Sequence, residues 1–223
     1  MTKKRKKKSL LENPVADIAN ALDALEIPYV LTGSFAFAAH KRMPLGTKDV
    51  DVVVYSPSRV RLAELLNRLR DAGVPLDPAE ALRSLDRDKL VAVSMPLAGR
   101  GNERFTFPVE LVLPKVPALD RAILDRAMDI PYPDRPQGVK VVTLEDYVLF
   151  KLVFFRERDR NGIDEVLRTT PDLDVGYVAI SLGLVYPPES ERSQWFAEAC
   201  RRHGLVKKPP RPESPAPLRR RSK

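Results

Sequence analysis

The sequence of 223 residues predicts an α+β fold, with a small mixed β-sheet, helices packed on it and a helical C-terminal part. Three observations predict this class. Short apolar stretches typical of strands occur at residues 29–32, 48–55, 90–95 and 104–113. Between them, apolar residues recur at helical spacing. The segment from residue 143 to residue 206 is predicted to be helical. The order of the strands does not follow from these patterns.

The first helix is predicted over residues 14–26, because Asn13 is a suitable N-cap and Pro14 a suitable first helical residue. A short helix from Phe35 to His40 follows the first strand. Further helices are predicted after Ser56-Pro57, over 78–87, over 118–127, from Thr143, over 173–184 and around Trp195. A Pro-rich connector is predicted over 131–138, and a short strand over 138–142.

Composition excludes several classes of protein. The single cysteine, Cys200, excludes an intramolecular disulfide and favours a reducing compartment. Neither of the two histidines forms a zinc-binding pattern with it. The chain lacks a run of about 18 apolar residues, so no transmembrane helix is expected. The basic N-terminus lacks the apolar segment of a secretory signal. We therefore expect a cytoplasmic protein without membrane contact.

The positive charge is concentrated at the two ends of the chain. Residues 1–8 contain six basic residues and no acidic one, and residues 207–223 contain seven basic residues and one acidic one. These two segments more than account for the net charge of +8, so the part between them is mildly acidic. Disordered tails are predicted over 1–12 and 207–223. They are either simply solvated or in contact with nucleic acid.

Two carboxylates and a Gly-Ser pair form the centre of the sequence. Asp49 and Asp51 lie on a predicted strand, where alternate side chains share a face. Neighbouring carboxylates repel one another, and Mg²⁺ bound by carboxylates, waters and substrate phosphates would relieve that repulsion. Gly33 and Ser34 follow the preceding strand at a predicted helix start, where backbone N–H groups can bind phosphate. This pattern predicts a metal-assisted phosphate site.

Three further residues are candidates for the same site. Glu110 faces away from an alternating apolar row, so it either joins Asp49 and Asp51 or is a solvated surface residue. Lys151 is the only charged residue in the run 147–155, and it either reaches an anionic ligand or extends its ammonium group to the surface. Lys48 either neutralises a triphosphate or is an ordinary loop charge.

The motif Gly33-Ser34, a spacer, then Asp49-Val50-Asp51 resembles the signature of the nucleotidyltransferase superfamily with the polymerase-beta-like fold. That family has a third carboxylate on a later strand, for which Glu110 is the candidate. The segment from Thr143 to Leu167 resembles the C-terminal part of AbiEii-like, toxin–antitoxin-type nucleotidyltransferases. In this resemblance Lys151 matches the family lysine. Asp164 is a looser match to a later aspartate, and its alternative role is that of an acidic residue at a helix N-terminus.

The resemblance implies a catalytic core at 13–142 and a C-terminal helical part at 143–206 packed on it. It also implies that Asp49, Asp51 and Glu110 hold Mg²⁺ or Mn²⁺ and act in catalysis. A nucleoside monophosphate would pass from an NTP such as ATP to a hydroxyl acceptor, and pyrophosphate would leave. Gly33, Ser34, Lys48, Lys151 and Asp164 would contact the nucleotide.

Two functional classes remain open at this stage. The first is an active nucleotidyltransferase whose acceptor is RNA, protein or a small molecule, with RNA or protein favoured. It would act in a toxin–antitoxin or phage-defence setting with a cognate partner. The second is a non-catalytic module that keeps the fold and binds a nucleotide or a partner protein. Label transfer from an NTP separates the two.

Overall fold

The computed structural model describes residues 13–43, 49–55, 58–98, 104–114 and 116–205. The two predicted tails and Lys48 lie outside these residues. The predicted α+β class is confirmed, because six strands form one mixed sheet with helices packed against it. The strands are β1 (Tyr29–Thr32), β2 (Val50–Val54), β3 (Leu90–Ala98), β4 (Arg104–Val112), β5 (Met128–Tyr132) and β6 (Arg135–Val141).

Nine helices are found among the described residues, and most of the predicted ones are confirmed to within two residues. They are α1 (Pro14–Ala24), α2 (Gly33–His40), α3 (Arg59–Asp71), α4 (Pro78–Asp88), α5 (Pro117–Arg126), α6 (Leu144–Phe154), α7 (Glu157–Thr169), α8 (Val175–Gly183) and α9 (Glu191–Arg202). None of the helices in the described part of the chain is both long and apolar enough to cross a bilayer.

The strand order is β3-β4-β2-β1-β6-β5. Strands β1 and β2 pair antiparallel, while β2 pairs parallel with β4 and β1 pairs parallel with β6. The two outer pairs, β3 with β4 and β5 with β6, are antiparallel. The motif strands β1 and β2 are therefore central, and β4 is the direct neighbour of β2. This order brings residues distant in sequence to one face of the sheet.

The prediction of a Pro-rich connector over 131–138 was wrong. Residues 128–141 form the antiparallel pair β5 and β6, and β5 is an edge strand. Pro131 is tolerated there because an edge strand leaves some N–H positions without a ladder partner. Gly138 has a φ of +71°, and a Cβ at this position would lie 2.4 Å from the carbonyl oxygen of Ile130. The close approach of the two strands therefore requires glycine.

One hydrophobic core connects the sheet to the helices on both sides of the predicted boundary at residues 142 and 143. Buried residues from the sheet, such as Val52 and Leu111, belong to the same cluster as Leu149, Val166 and Phe196 from the C-terminal helices. The boundary falls between β6 and α6. The division into a catalytic core at 13–142 and a helical part at 143–206 stays a prediction.

Candidate active site

A cavity of about 350 Å³ lies between one face of the sheet and the helices. Strands β2 and β4 supply part of its wall, and α2 contributes its first residues. Helices α5 and α6 and the start of α7 complete the lining. Of the predicted site residues, the lining includes Gly33, Ser34, Asp49, Asp51, Glu110 and Lys151.

Asp51 and Glu110 lie opposite each other on β2 and β4, because they are register partners in the parallel ladder. Neighbouring strands are about 4.8 Å apart, and register partners on one face point the same way. Both side chains line the cavity and are half-buried. The sheet therefore brings together two carboxylates separated by nearly sixty residues in the sequence.

The environment of Asp51 disfavours its negative charge. Burial is the main cause, and repulsion from Glu110 and then Asp49 adds to it. Together with a hydrogen bond to Glu110, these effects raise the pKa of Asp51 to about 6, although the charge of Lys151 acts in the opposite direction. A carboxylate in this state gains stability from any cation that enters the cavity.

Gly33 lies directly against Asp51, at the junction between β1 and α2. Its φ is +66°, and a Cβ at this position would lie 1.9 Å from Asp51 Oδ2. Both the backbone conformation and the space therefore require glycine. The contact places the Asp51 carboxylate at the N-terminus of α2, next to the exposed Ser34. The first N–H groups of an α-helix have no acceptor within the helix, so those of α2 suit an anion.

Asp49 lies at the open edge of the cavity, immediately before β2 begins at Val50. It is exposed, whereas Asp51 is half-buried. The predicted shared face is consistent with this placement, since both carboxylates line the cavity. Asp49 therefore contributes negative charge at the exposed edge of the cavity.

Lys151 projects from the last turn of α6 into the same cavity. Its Nζ donates a hydrogen bond of 3.3 Å to Asp159 Oδ1 and lies 5.0 Å from the centre of the Tyr147 ring. Gly162 makes room for the lysine, because a Cβ there would lie 2.8 Å from Lys151 Cε. The lysine is therefore held in place by the beginning of α7.

Asp159 and Arg156 are site residues that the sequence interpretation missed. Asp159 is only 2% exposed and accepts hydrogen bonds from the backbone N–H (3.1 Å) and the Nε (2.7 Å) of Arg156. Burial opposes its charge, but these bonds and the nearby Lys151 outweigh burial and lower the pKa of Asp159. The acidic residue three positions after the N-cap was the available signal, because this is the capping-box position.

Arg156 also interacts electrostatically with the two strand carboxylates, Asp51 and Glu110. Its pKa is raised mainly by the hydrogen bond to Asp159, and the charges of Asp51 and Glu110 add to the effect. Arg158 lines the cavity as well and is exposed. The cavity thus has an acidic side on the sheet and a basic side at the junction of α6 and α7.

Asp164 is not brought to this cavity. It lies farther along α7 and pairs with Arg202 at 3.1 Å and with His203 Nε2 at 3.0 Å, both near the end of α9. The structure therefore does not group Asp164 with the other predicted site residues, and its contact with the nucleotide stays a prediction. Its separation from Asp159 is five residues, which puts the two side chains on different faces of a helix with 3.6 residues per turn.

The donor set suits a hard divalent cation. Mg²⁺ is commonly held by one or two carboxylates together with substrate phosphates, and Asp51 and Glu110 supply such a pair. Among the described residues, no cluster of three or more Asp, Glu, His and Cys side chains is already arranged as a metal site. The chemistry of the pair and the raised pKa of Asp51 fit a metal that binds together with a phosphorylated ligand.

Comparisons with known proteins identify a family for the chain. A family model described as "Nucleotidyltransferase of unknown function (DUF6036)" matches residues 10–182. No curated protein sequence is significantly similar to the chain. Among solved structures, that of the antibiotic-resistance factor ANT(2'')-Ia is similar at 12% identity, covering 85% of this chain and 90% of that chain with a TM-score of 0.35.

Proposed function

The chain belongs to this family of nucleotidyltransferases of unknown function, and from that premise we propose that it moves a nucleoside monophosphate from an NTP to a hydroxyl acceptor. Pyrophosphate is the other product. The bond between the α- and β-phosphates breaks, a bond from the acceptor oxygen to the α-phosphorus forms, and the hydroxyl proton leaves to solvent. The finer assignment to the AbiEii-like type is part of the proposal.

The observation that carries this proposal is the pairing of Asp51 with Glu110 at the glycine junction. Two carboxylates on adjacent strands face a helix N-terminus, and Gly33 leaves the space between them open. The carboxylates attract cations and the helix N-terminus attracts phosphate, so the two together suit a cation–polyphosphate complex. A purely structural pair of carboxylates would be expected to have basic partners instead.

The acidic side of the cavity would hold Mg²⁺ or Mn²⁺ through Asp51 and Glu110, with Asp49 adding negative charge at the entrance. When bound, the ion supplies neutralisation of phosphate charge and a lower pKa for the acceptor hydroxyl. Asp51 and Glu110 would hold the ion on the sheet side of the cavity, because both line it from neighbouring strands.

The basic side would orient and neutralise the phosphates. The charge of Lys151 acts to lower the pKa of Asp51, and Asp159 holds the lysine ammonium in a defined position. Arg156 is fixed by the same carboxylate. Ser34 and the first N–H groups of α2 would bind terminal phosphate oxygens. Charges held in place before substrate binds are most effective in the transition state.

The acceptor is proposed by class only, as RNA or protein, and a cognate toxin or antitoxin is the proposed partner. The basic segments at the chain ends would favour a nucleic-acid acceptor. Action in the cytoplasm is part of the same proposal.

The test is transfer of label from each of four α-labelled NTPs, with Mg²⁺ or Mn²⁺ and a mixture of total RNA and cell protein. Asp51→Asn and Glu110→Gln should abolish transfer. Asp125→Asn is the matched control, because Asp125 is exposed and paired with Arg121 on the outer side of α5. Metal-dependent nucleotide binding without transfer would contradict the enzyme proposal and favour a binding module.

A further inference from the structure

The cavity continues beyond the carboxylates into an apolar part. Val53 and Val112 follow Asp51 and Glu110 on the same strands, two residues farther on, and line the same cavity. Two strand residues span roughly 7 Å. Helices α5 and α6 complete this part with buried apolar side chains, namely Leu119, Ile123 and Leu149. An apolar space next to a phosphate site suits a planar heteroaromatic ring.

One carboxylate, Asp120, lies in this apolar part. It belongs to the first turn of α5 and lines the cavity between the buried Leu119 and Ile123. The pKa of Tyr55, which follows the end of β2, is raised mainly by the burial of Tyr55 itself. The negative charge of Asp120 is the second cause. Asp120 is therefore near the far end of β2, away from Asp51. Within the part of the chain that the structure describes, no side chain forms a hydrogen bond or ion pair with Asp120.

An ionised carboxylate accepts hydrogen bonds and donates none, and it pairs best with two adjacent N–H donors. Guanine presents such an edge, with its ring N1–H next to its 2-amino group. Adenine and cytosine place a ring acceptor beside their amino group, and uracil places carbonyl oxygens on both sides of its N3–H. Against a carboxylate, each of these three edges leaves at least one acceptor facing another acceptor.

We propose that Asp120 recognises the base of the donor nucleotide and makes the cavity selective for guanine. The inference rests on the proposed function, since the phosphates must lie at Gly33 and Lys151 for the base to reach Asp120. Burial raises the pKa of Asp120, and two N–H donors would offset this desolvation. The base would stack between the sheet face and α6.

The experiment measures equilibrium binding by calorimetry, with Mg²⁺ and each of GTP, ITP, ATP, CTP and UTP added to the full chain. GTP should bind at least about tenfold more tightly than ATP, CTP or UTP, the discrimination typical of one bidentate base contact. ITP, which lacks only the 2-amino group, should bind with intermediate affinity. This readout does not depend on turnover or on the identity of the acceptor.

Asp120→Asn provides the sharper test. The asparagine amide oxygen still accepts a hydrogen bond from the ring N1–H, but the amide NH₂ group is a donor. Xanthine has a carbonyl oxygen where guanine has its 2-amino group, so xanthine can accept from this NH₂ group. The variant should lose the preference for GTP and bind xanthosine triphosphate at least about tenfold better than the unmodified protein does. Asp125→Asn, on the same helix, should keep the guanine preference.

The outcomes separate this inference from the proposed function. Equal binding of the four common NTPs, or a guanine preference that Asp120→Asn leaves unchanged, would overturn the role of Asp120 while nucleotide binding stands. Failure of the unmodified protein to bind any NTP would overturn the proposed function and this inference with it. A preference that moves from guanine to xanthine supports the role of Asp120 and the nucleotide site on which the proposed function depends, because loss of folding cannot produce a gain of affinity.

Discussion

Asp51 and Asp159 line the same cavity but have opposite electrostatic environments. Asp159 is buried and accepts hydrogen bonds from Lys151 and Arg156, and these outweigh burial to lower its pKa. Asp51 lies among other carboxylates, and its pKa is raised to about 6. The chain therefore supplies the cations for one carboxylate and leaves the other to be neutralised by what enters the cavity.

The difference shows how structural and ligand-binding carboxylates can be told apart. A carboxylate that stabilises the fold has its partners within the chain, as Asp159 has at the start of α7. A carboxylate that binds a ligand is kept unstable until the ligand arrives, at a cost to the stability of the free protein. The following predictions test this distinction, beginning with the largest expected effect.

Removing the charge from the strand pair should abolish function but leave folding intact. Asp51→Asn and Glu110→Gln should each lower kcat/KM for nucleotide transfer by at least about 100-fold, the typical effect of losing one preorganised charged group. Urea unfolding of the same variants should show no loss of stability. A loss of activity that follows a loss of stability would instead make Asp51 a structural carboxylate like Asp159.

Filling the space at Gly33 should destabilise the protein through Asp51. Gly33→Ala should lower the free energy of unfolding by about 3 kcal/mol, from backbone strain at positive φ and from the clash with Asp51 Oδ2. In an Asp51→Ala background the clash partner is gone, so the cost should fall to about 1 kcal/mol. Equal costs in the two backgrounds, measured by denaturant unfolding, would show that the contact is unimportant.

Removing the charge of Asp159 should reduce stability. Asp159→Asn should cost about 2 kcal/mol, below the usual value for a broken buried pair because solvent reaches the exposed part of Arg156. Asp164→Asn is the matched control on the same helix. Asp164 and its partner Arg202 are both exposed to solvent, so this substitution should cost less than about 1 kcal/mol. If the control proved the more costly variant, the distinction between the two aspartates would be wrong.

The smallest expected effect is the change in the free energy of unfolding with pH, measured in the absence of metal. The folded-state pKa of Asp51 is about 6, above the unfolded value of about 3.9, so the folded state binds its proton more tightly. The protein should lose about 1 kcal/mol as pH rises from about 4 to about 7, after allowance for solvent screening. Asp51→Asn should remove this loss and be the more stable protein at pH 7 in chelator. A parallel pH profile for both proteins would contradict the raised pKa.

Much of the fold could be predicted from local patterns. Caps at Asn13 and Thr143 and the alternation before Glu110 marked helices and a strand that the structure contains. The strand predicted over 138–142 is the second half of β6, but β5 and the start of β6 could not be predicted, because proline and glycine in 131–138 carry the signals of a turn. Their pairing depends on an edge position in the sheet, which is a property of the whole fold.

The candidate site was predicted in its acidic half and only partly in its basic half. Gly33, Asp49 and Asp51 lie close together in sequence, so strand alternation and turn chemistry were sufficient to group them. The position of Glu110 beside Asp51 depends on the pairing of β2 with β4, which the local sequence does not show. Asp159 was missed in favour of Asp164, because only the packing of α7 against α6 decides which face of the helix meets Lys151.

By itself the sequence determined most of the elements, the acidic motif and the glycine at the start of α2, because each depends on residues within one turn or one strand. Tertiary structure decided three further features. Glu110 lies opposite Asp51, Asp159 is hydrogen-bonded to Lys151, and Asp120 lies in the apolar part of the cavity. These juxtapositions join residues from different elements. Strand order and helix packing fix them, and both arise from burying one shared core rather than from any local signal.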